Sequence, residues 1–190
     1  MQQILFAAGP NPEVAEDHKL YLINVKDILR GTYRSDLRQI TSGDTNDLFP
    51  AWSPDGQWIA FHRNCGLWLV RPDGSGTQML LAETVKRCTN WAAWSPDSRQ
   101  IAFSNSRARF TELWVIGHDG SDPHVVHTLK RRLDWGVLAW SPDGRQIACW
   151  YTDGGEDKIL LIHADGSGEP RLMDQSPWWW FSEFWPQWGG

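Results

Sequence analysis

Chemistry requires nucleophiles, titratable groups or metal ligands at workable spacings, and this chain offers few. Its six histidines are His18, His62, His118, His124, His127 and His163. They fall in predicted loops, turns or last strands of a unit, and none in a predicted innermost strand. His124 and His127 lie three residues apart in a predicted strand, which puts them on opposite faces and keeps them from sharing a metal. Cys65, Cys88 and Cys149 are odd in number and lack CxxC spacing. Free thiols are therefore expected, and neither a disulfide framework nor a zinc site. Asp55, Asp97 and Asp143 look like an acidic row, but a turn role explains them. The Asp-Gly-Ser segments superficially resemble calcium loops, yet they lack the other liganding positions and the closing glutamate of an EF-hand. No Gly-x-Ser-x-Gly elbow, HExxH pair or phosphate loop occurs. A non-enzymatic chain with no cofactor and no metal is expected.

What recurs instead is a scaffold. Phe49-Pro50-Ala51-Trp52-Ser53-Pro54-Asp55-Gly56-Gln57-Trp58-Ile59-Ala60-Phe61 returns as Trp91 to Phe103 and again as Val137 to Cys149. In each copy a short apolar strand follows the Ser-Pro-Asp turn, and a second one lies beyond a variable loop (Leu67–Val70, Leu113–Ile116, Ile159–Ile162). Then come an Asp-Gly-Ser turn and a closing strand (Gln78–Leu81, His124–His127, Pro170–Met173). Short apolar runs bounded by Asp-Gly turns are the hairpin signature, so each copy reads as a four-stranded antiparallel meander. Proline pre-sets φ in the turn, and glycine takes the left-handed position. Ser98 stands where the other two copies have glycine, at an expected cost of about 1 kcal/mol.

The N-terminus enters the same pattern late, with strands at Gln2–Ala7, Leu20–Val25 and Leu37–Thr41, and lacks the first strand of a unit. Trp185-Pro186-Gln187-Trp188 aligns with Phe49-Pro50-Ala51-Trp52 and can supply it. Four repeats result in a single domain over 1–190: blade 1 over 1–43 plus 183–190, blade 2 over 46–83, blade 3 over 89–129 and blade 4 over 135–174. The net charge of −5, with both signs interspersed, argues against a nucleic-acid binder. The N-terminus fails as a signal peptide, and no apolar run reaches the length of a membrane span. As written the chain would stay in the cytoplasm, with no membrane insertion.

Pro-x-Trp-Ser-Pro-Asp-Gly-x-x-Ile-Ala-Phe, followed by an apolar strand and Asp-Gly-Ser-Gly, resembles the TolB-type β-propeller repeat, a relative of WD-repeat propellers. The resemblance covers nearly the whole chain. It implies an all-β propeller of four four-stranded antiparallel blades, closed by the C-terminal strand completing the N-terminal blade. Such propellers serve as protein-interaction platforms in the bacterial envelope, as modules of transport or signalling proteins, and as gating domains before serine-peptidase domains. The family usually carries more blades and an export signal, and this chain shows neither. A periplasmic location is compatible with the resemblance. Three assemblies satisfy the sequence: a closed four-blade ring, a homodimer forming an eight-bladed ring, and a fragment of a larger propeller.

Propeller topology assigns the Ser-Pro-Asp-Gly and Asp-Gly-Ser turns to one face and the variable loops to the other. Binding usually sits on variable loops held by a rigid scaffold, so a protein partner is expected there. Blades two and three place Arg63, Lys86, Arg87, Arg107, Arg109, Lys130, Arg131 and Arg132 on that face, a basic patch suited to an acidic partner. Blades one and four contribute Glu13, Glu16, Asp17, Asp153, Glu156 and Asp157. Trp178, Trp179 and Trp180 in the last connection read either as a partner-binding patch or as a staple at the seam. The function expected is a non-catalytic protein-binding propeller. The alternative is the propeller portion of a larger hydrolase, peptidase or transport protein whose chemistry lies elsewhere.

Overall fold

A computed structural model describes residues 3–9, 17–32, 37–82, 92–106, 109–130, 136–153 and 156–173. The C-terminal strand expected to complete the first blade, and with it the closure, lies outside these residues. The chain divides into two compact units, Met1–Thr84 and Val85–Gly190.

In the first unit, β1 (Gln3–Ala8), β2 (Lys19–Asn24) and β3 (Arg38–Gln39) form a three-stranded antiparallel sheet. A single short helix turn, α1 (Val25–Leu29), bridges β2 and β3. β4 (Asp47–Trp52), β5 (Ile59–Arg63), β6 (Gly66–Val70) and β7 (Gln78–Leu81) form a four-stranded meander. In the second unit, β8 (Ala93–Trp94), β9 (Gln100–Ser106), β10 (Thr111–Gly117) and β11 (His124–Leu129) form one meander. β12 (Gly136–Trp140), β13 (Gln146–Asp153), β14 (Glu156–His163) and β15 (Arg171–Met173) form another. The described residues are thus all-β, four antiparallel sheets with almost no helix.

The repeated turns close the meanders through the same bonds each time. Ser53, Ser95 and Ser141 are buried. Each donates its hydroxyl to the Asp two residues on, at 2.6 Å, and accepts the backbone N–H of Trp58, Gln100 or Gln146 at 2.9 Å. Asp55, Asp97 and Asp143 then accept the N–H of Gln57, Arg99 and Arg145 through the same oxygen. The serine hydroxyl holds the carboxyls of Asp97 and Asp143 below the usual carboxylate range. The acidic row is turn chemistry, as expected.

Ser98 adopts φ 61°, matching Gly56 at 70° and Gly144 at 69°. An L-residue pays for that conformation. Ser98→Gly should raise the melting temperature by about 2–4 °C, the equivalent of about 1 kcal/mol in a chain of this size. Thermal denaturation of the two proteins side by side checks it.

Gly74 and Gly166 of the Asp-Gly-Ser turns serve a second purpose. A Cβ on Gly74 would lie 3.0 Å from the Ile40 carbonyl oxygen of the preceding sheet. One on Gly166 would lie 3.4 Å from Cα of Val126, again in the preceding sheet of its unit. Within each unit, the turn therefore abuts the last strand of the sheet before it. The cores lie between the same sheets. Leu20, Leu22, Ile40, Ile59, Phe61 and Val70 form the first, with Trp52 packed against it. The second includes Leu113, Val115, Trp140, Ile147, Cys149 and Ile162. Trp140 crosses to the neighbouring sheet and donates its indole N–H to the Ala93 carbonyl at 2.9 Å.

Pro50 sits inside β4 and has no N–H for the ladder. The register with β5 shifts between Leu48 and Ala51, and Phe49 is driven to φ 53°. A bulge is the structural answer to a proline in a paired strand.

Candidate functional site

Several residues assigned to variable loops lie in strands instead. His62 and Arg63 end β5, Ser104 to Ser106 end β9, and Thr152, Asp153 and Glu156 to Lys158 extend the β13–β14 hairpin to the pair Asp153–Glu156. The β5–β6 connection is only Asn64-Cys65, both at positive φ (47° and 67°) between the paired Arg63 and Gly66. That is the two-residue type I′ hairpin, which lets the strands run to their ends. At equivalent steps of the second strand the scaffold residues give way to chemically unlike pairs: Ala7-Ala8, His62-Arg63, Ser104-Asn105 and Trp150-Tyr151.

Arg63 is not part of an open basic patch. Its Nε and Nη2 donate to the two oxygens of Asp47 at 2.7 and 2.8 Å. The Asp47 side chain is 0% exposed and that of Arg63 is 14%. The guanidinium also lies 5.2 Å from the ring centroids of both Phe61 and Trp68. Beside it, His62 is buried with neither ring nitrogen hydrogen-bonded. Its ring meets Phe49 edge-on at 6.4 Å. Burial pushes its imidazole down to about 4. Lys19, also buried, donates to the carbonyls of His18 and Thr45. Sequence reasoning placed His62 in a loop and did not single out Asp47; the apolar run Trp58–Phe61 leading into His62 was the available signal.

Arg109 and Lys130 are both exposed and stand just outside the paired Thr111–Leu129, at one end of the β10–β11 hairpin. Of the basic patch, these two are brought together. Lys86, Arg87, Arg107, Arg131 and Arg132, and the aromatic residues Trp178, Trp179 and Trp180, lie outside the described residues.

The histidine pair on β11 also departs from expectation. A bulge leaves Val126 unpaired, so that Leu113 faces His127 and Val115 faces His124. One extra residue reverses the alternation, and His124 and His127 share a face. Among the described residues no group of three or more ligating side chains could hold a metal ion. His127 is held below its ordinary value by burial, against the opposing pull of the Glu169 charge. Cys149 is free and buried, its thiol pushed up to about 12. Cys65 is disulfide-bonded, which corrects the expectation of three free thiols. No described helix is long and apolar enough to cross a membrane.

The second unit also holds a cleft of about 610 Å³ at the turn-bearing end of its two sheets. Gln100, Asp122 and His124 line it from one sheet, and Arg145, His163 and Asp165 from the next. The sequence places the expected partner surface on the opposite, variable-loop face.

No family model matches the chain, and no curated protein matches it. Solved structures do. TolB from Acinetobacter baumannii aligns over 87% of this chain and 40% of its own, with a TM-score of 0.65 at 16% identity. A putative TolB from Agrobacterium tumefaciens aligns over 91% and 63%, with a TM-score of 0.64 at 19% identity. Dipeptidyl peptidase 4 from Porphyromonas gingivalis aligns over 87% and 29%, with a TM-score of 0.57 at 12% identity. The chain therefore spans between 40% and 63% of the length of the two TolB structures. At these identities the likeness establishes the fold: the four sheets are those of a β-propeller protein.

Proposed function

We propose that the chain is a non-catalytic β-propeller scaffold that offers the far ends of its blades, with Arg109 and Lys130 among the contacts, to an acidic protein partner. The observation that carries this reading is the contrast between the two ends of each sheet. At one end the serine–aspartate turns repeat bond for bond. At the other the strand ends diverge into unlike residues, and the exposed cations of the β10–β11 hairpin gather there. A rigid scaffold with divergent tips is how binding surfaces are usually built. Opposite charge on the partner steers encounter and sets salt dependence.

A fluorescein-labelled glutamate-rich peptide tests this by anisotropy at low salt. Saturable binding that weakens about tenfold in Arg109→Glu/Lys130→Glu, and that fades as salt rises, supports the proposal. Absence of binding, or equal affinity for the charge-reversed protein, sinks it.

A second reading is supported by the 29% of the peptidase chain that this propeller spans: the chain is the propeller portion of a longer hydrolase or transport protein. A catalytic or transport domain encoded in the same native reading frame would decide for it.

A further inference from the structure

The first sheet departs from the other three in one connection. Between β2 and β3 the chain runs through residues 25–37. The same step in the other sheets is the Asp-Gly-Ser turn, over 71–77, 118–123 and 164–170. A repeat that keeps a tight turn three times and replaces it once has gained something the scaffold does not need.

The added segment is ordered from beneath. Asp27 is buried and accepts the Asn24 side-chain amide at 2.8 Å. The backbone N–H groups of Arg30, Gly31 and Thr32 donate to the carbonyls of Lys26, Ile28 and Asp27 at 3.1, 3.0 and 3.0 Å, closing α1. Gly31, at φ 75°, takes the left-handed position that ends a helix. At the far end of the connection Arg38 donates to the Pro72 carbonyl at 2.6 Å, mooring it to the next sheet of the unit.

What this turn holds outward is apolar. Leu29 is 82% exposed, the most open large hydrophobic among the described residues, and Ile28 beside it is 40% exposed. Lys26 and Arg30 are exposed too, one helical turn apart and flanking Leu29. Neither cation makes an ion pair among the described residues. Asp27 is the one acid of residues 25–32, and it is buried.

We propose that this turn docks the protein on an anionic lipid surface, with Leu29 and Ile28 entering the headgroup layer and Lys26 and Arg30 meeting the lipid phosphates. The contact is interfacial and not a span. A convex knob of this size falls far short of the roughly 800 Å² per partner that a stable protein interface buries. A bilayer asks for less: a few apolar side chains beside cations give weak, reversible adsorption. The net charge of −5 is spread over the whole chain. In about 0.1 M salt, charges more than about 10 Å from the lipid are screened, so the cations of the turn decide the contact. This surface belongs to the first unit and does not rest on Arg109 and Lys130 of the second.

Co-sedimentation of the full chain with sucrose-loaded vesicles in about 0.1 M salt tests this. It compares phosphatidylcholine alone with phosphatidylcholine carrying about 30% phosphatidylglycerol. The anionic vesicles should bind at least about tenfold more tightly, and Lys26→Glu/Arg30→Glu should remove that advantage. Leu29→Ser should weaken binding about tenfold, while Leu29→Met binds as the unaltered protein does. All three positions are exposed, so circular dichroism should show the variants folded. Binding that Leu29→Ser leaves unchanged would be adsorption by charge alone and overturns the proposal. Equal binding to the two vesicle types overturns it as well. So does the absence of vesicle binding, which would leave the turn to a protein partner.

Discussion

Asp47→Ala lowers the stability of the protein by about 3–5 kcal/mol, roughly 10 °C in melting temperature. The reason is asymmetric. The carboxylate is fully buried and receives both arms of the Arg63 guanidinium, with Thr45 Oγ1 a third donor at 3.3 Å. Removing it leaves a guanidinium at 14% exposure between two aromatic rings with no counter-charge. A surface ion pair would cost less than about 1 kcal/mol, because water replaces the lost partner. Asp47→Ala/Arg63→Met removes the stranded charge as well and should recover much of the loss, as apolar replacements of buried pairs commonly do. Thermal or urea denaturation of the three proteins measures both effects. A cost under about 1 kcal/mol for Asp47→Ala would mean that the pair behaves as an exposed one.

His62→Leu should remove most of an acid lability. The imidazole is buried, bonded at neither nitrogen, and pushed down to about 4 from the usual 6.5. Above pH 6.5 it is neutral in the folded and unfolded chain and adds no pH dependence. As pH falls through 6.5 the unfolded chain takes up a proton that the folded one refuses, so stability drains away down to about pH 4. The loss over that window is about 3 kcal/mol. Leucine has a similar volume and no polar atom, so the variant is also relieved of two unsatisfied nitrogens at neutral pH. Urea denaturation at about pH 7 and about pH 4.5 reads the effect as a difference between the two proteins, in which the carboxylates they share cancel. Equal losses in both proteins would show that His62 is not a refused proton site.

The turns were legible in the sequence because their bonds are local. Ser53, Asp55 and the N–H groups of Gln57 and Trp58 lie within five residues of one another. The Ser98 departure was readable for the same reason, since a glycine-demanding position is defined by its own φ. The strand periodicity and the number of sheets followed from spacing alone.

The tips of the blades were less legible. Nothing in Asn64-Cys65 announced that β5 and β6 would pair down to Arg63 and Gly66, so residues that belong to strands were read as loop. The face shared by His124 and His127 was misread because a single bulged residue, Val126, reverses the alternation beyond it. Strand parity is set by pairing with β10, which a reading of β11 alone does not contain.

By itself, then, the sequence determined an all-β chain of repeated meanders, the residues of each turn, and the glycine or serine that closes it. Local hydrogen bonds and two-residue alternation suffice for that. Tertiary structure alone decided that Arg63 pairs with an aspartate sixteen residues away, that His62 is buried without a hydrogen-bond partner, and that a cleft opens between the two sheets of the second unit. Each depends on which side chains from separate strands or sheets meet, a matter of packing between elements that no single repeat encodes.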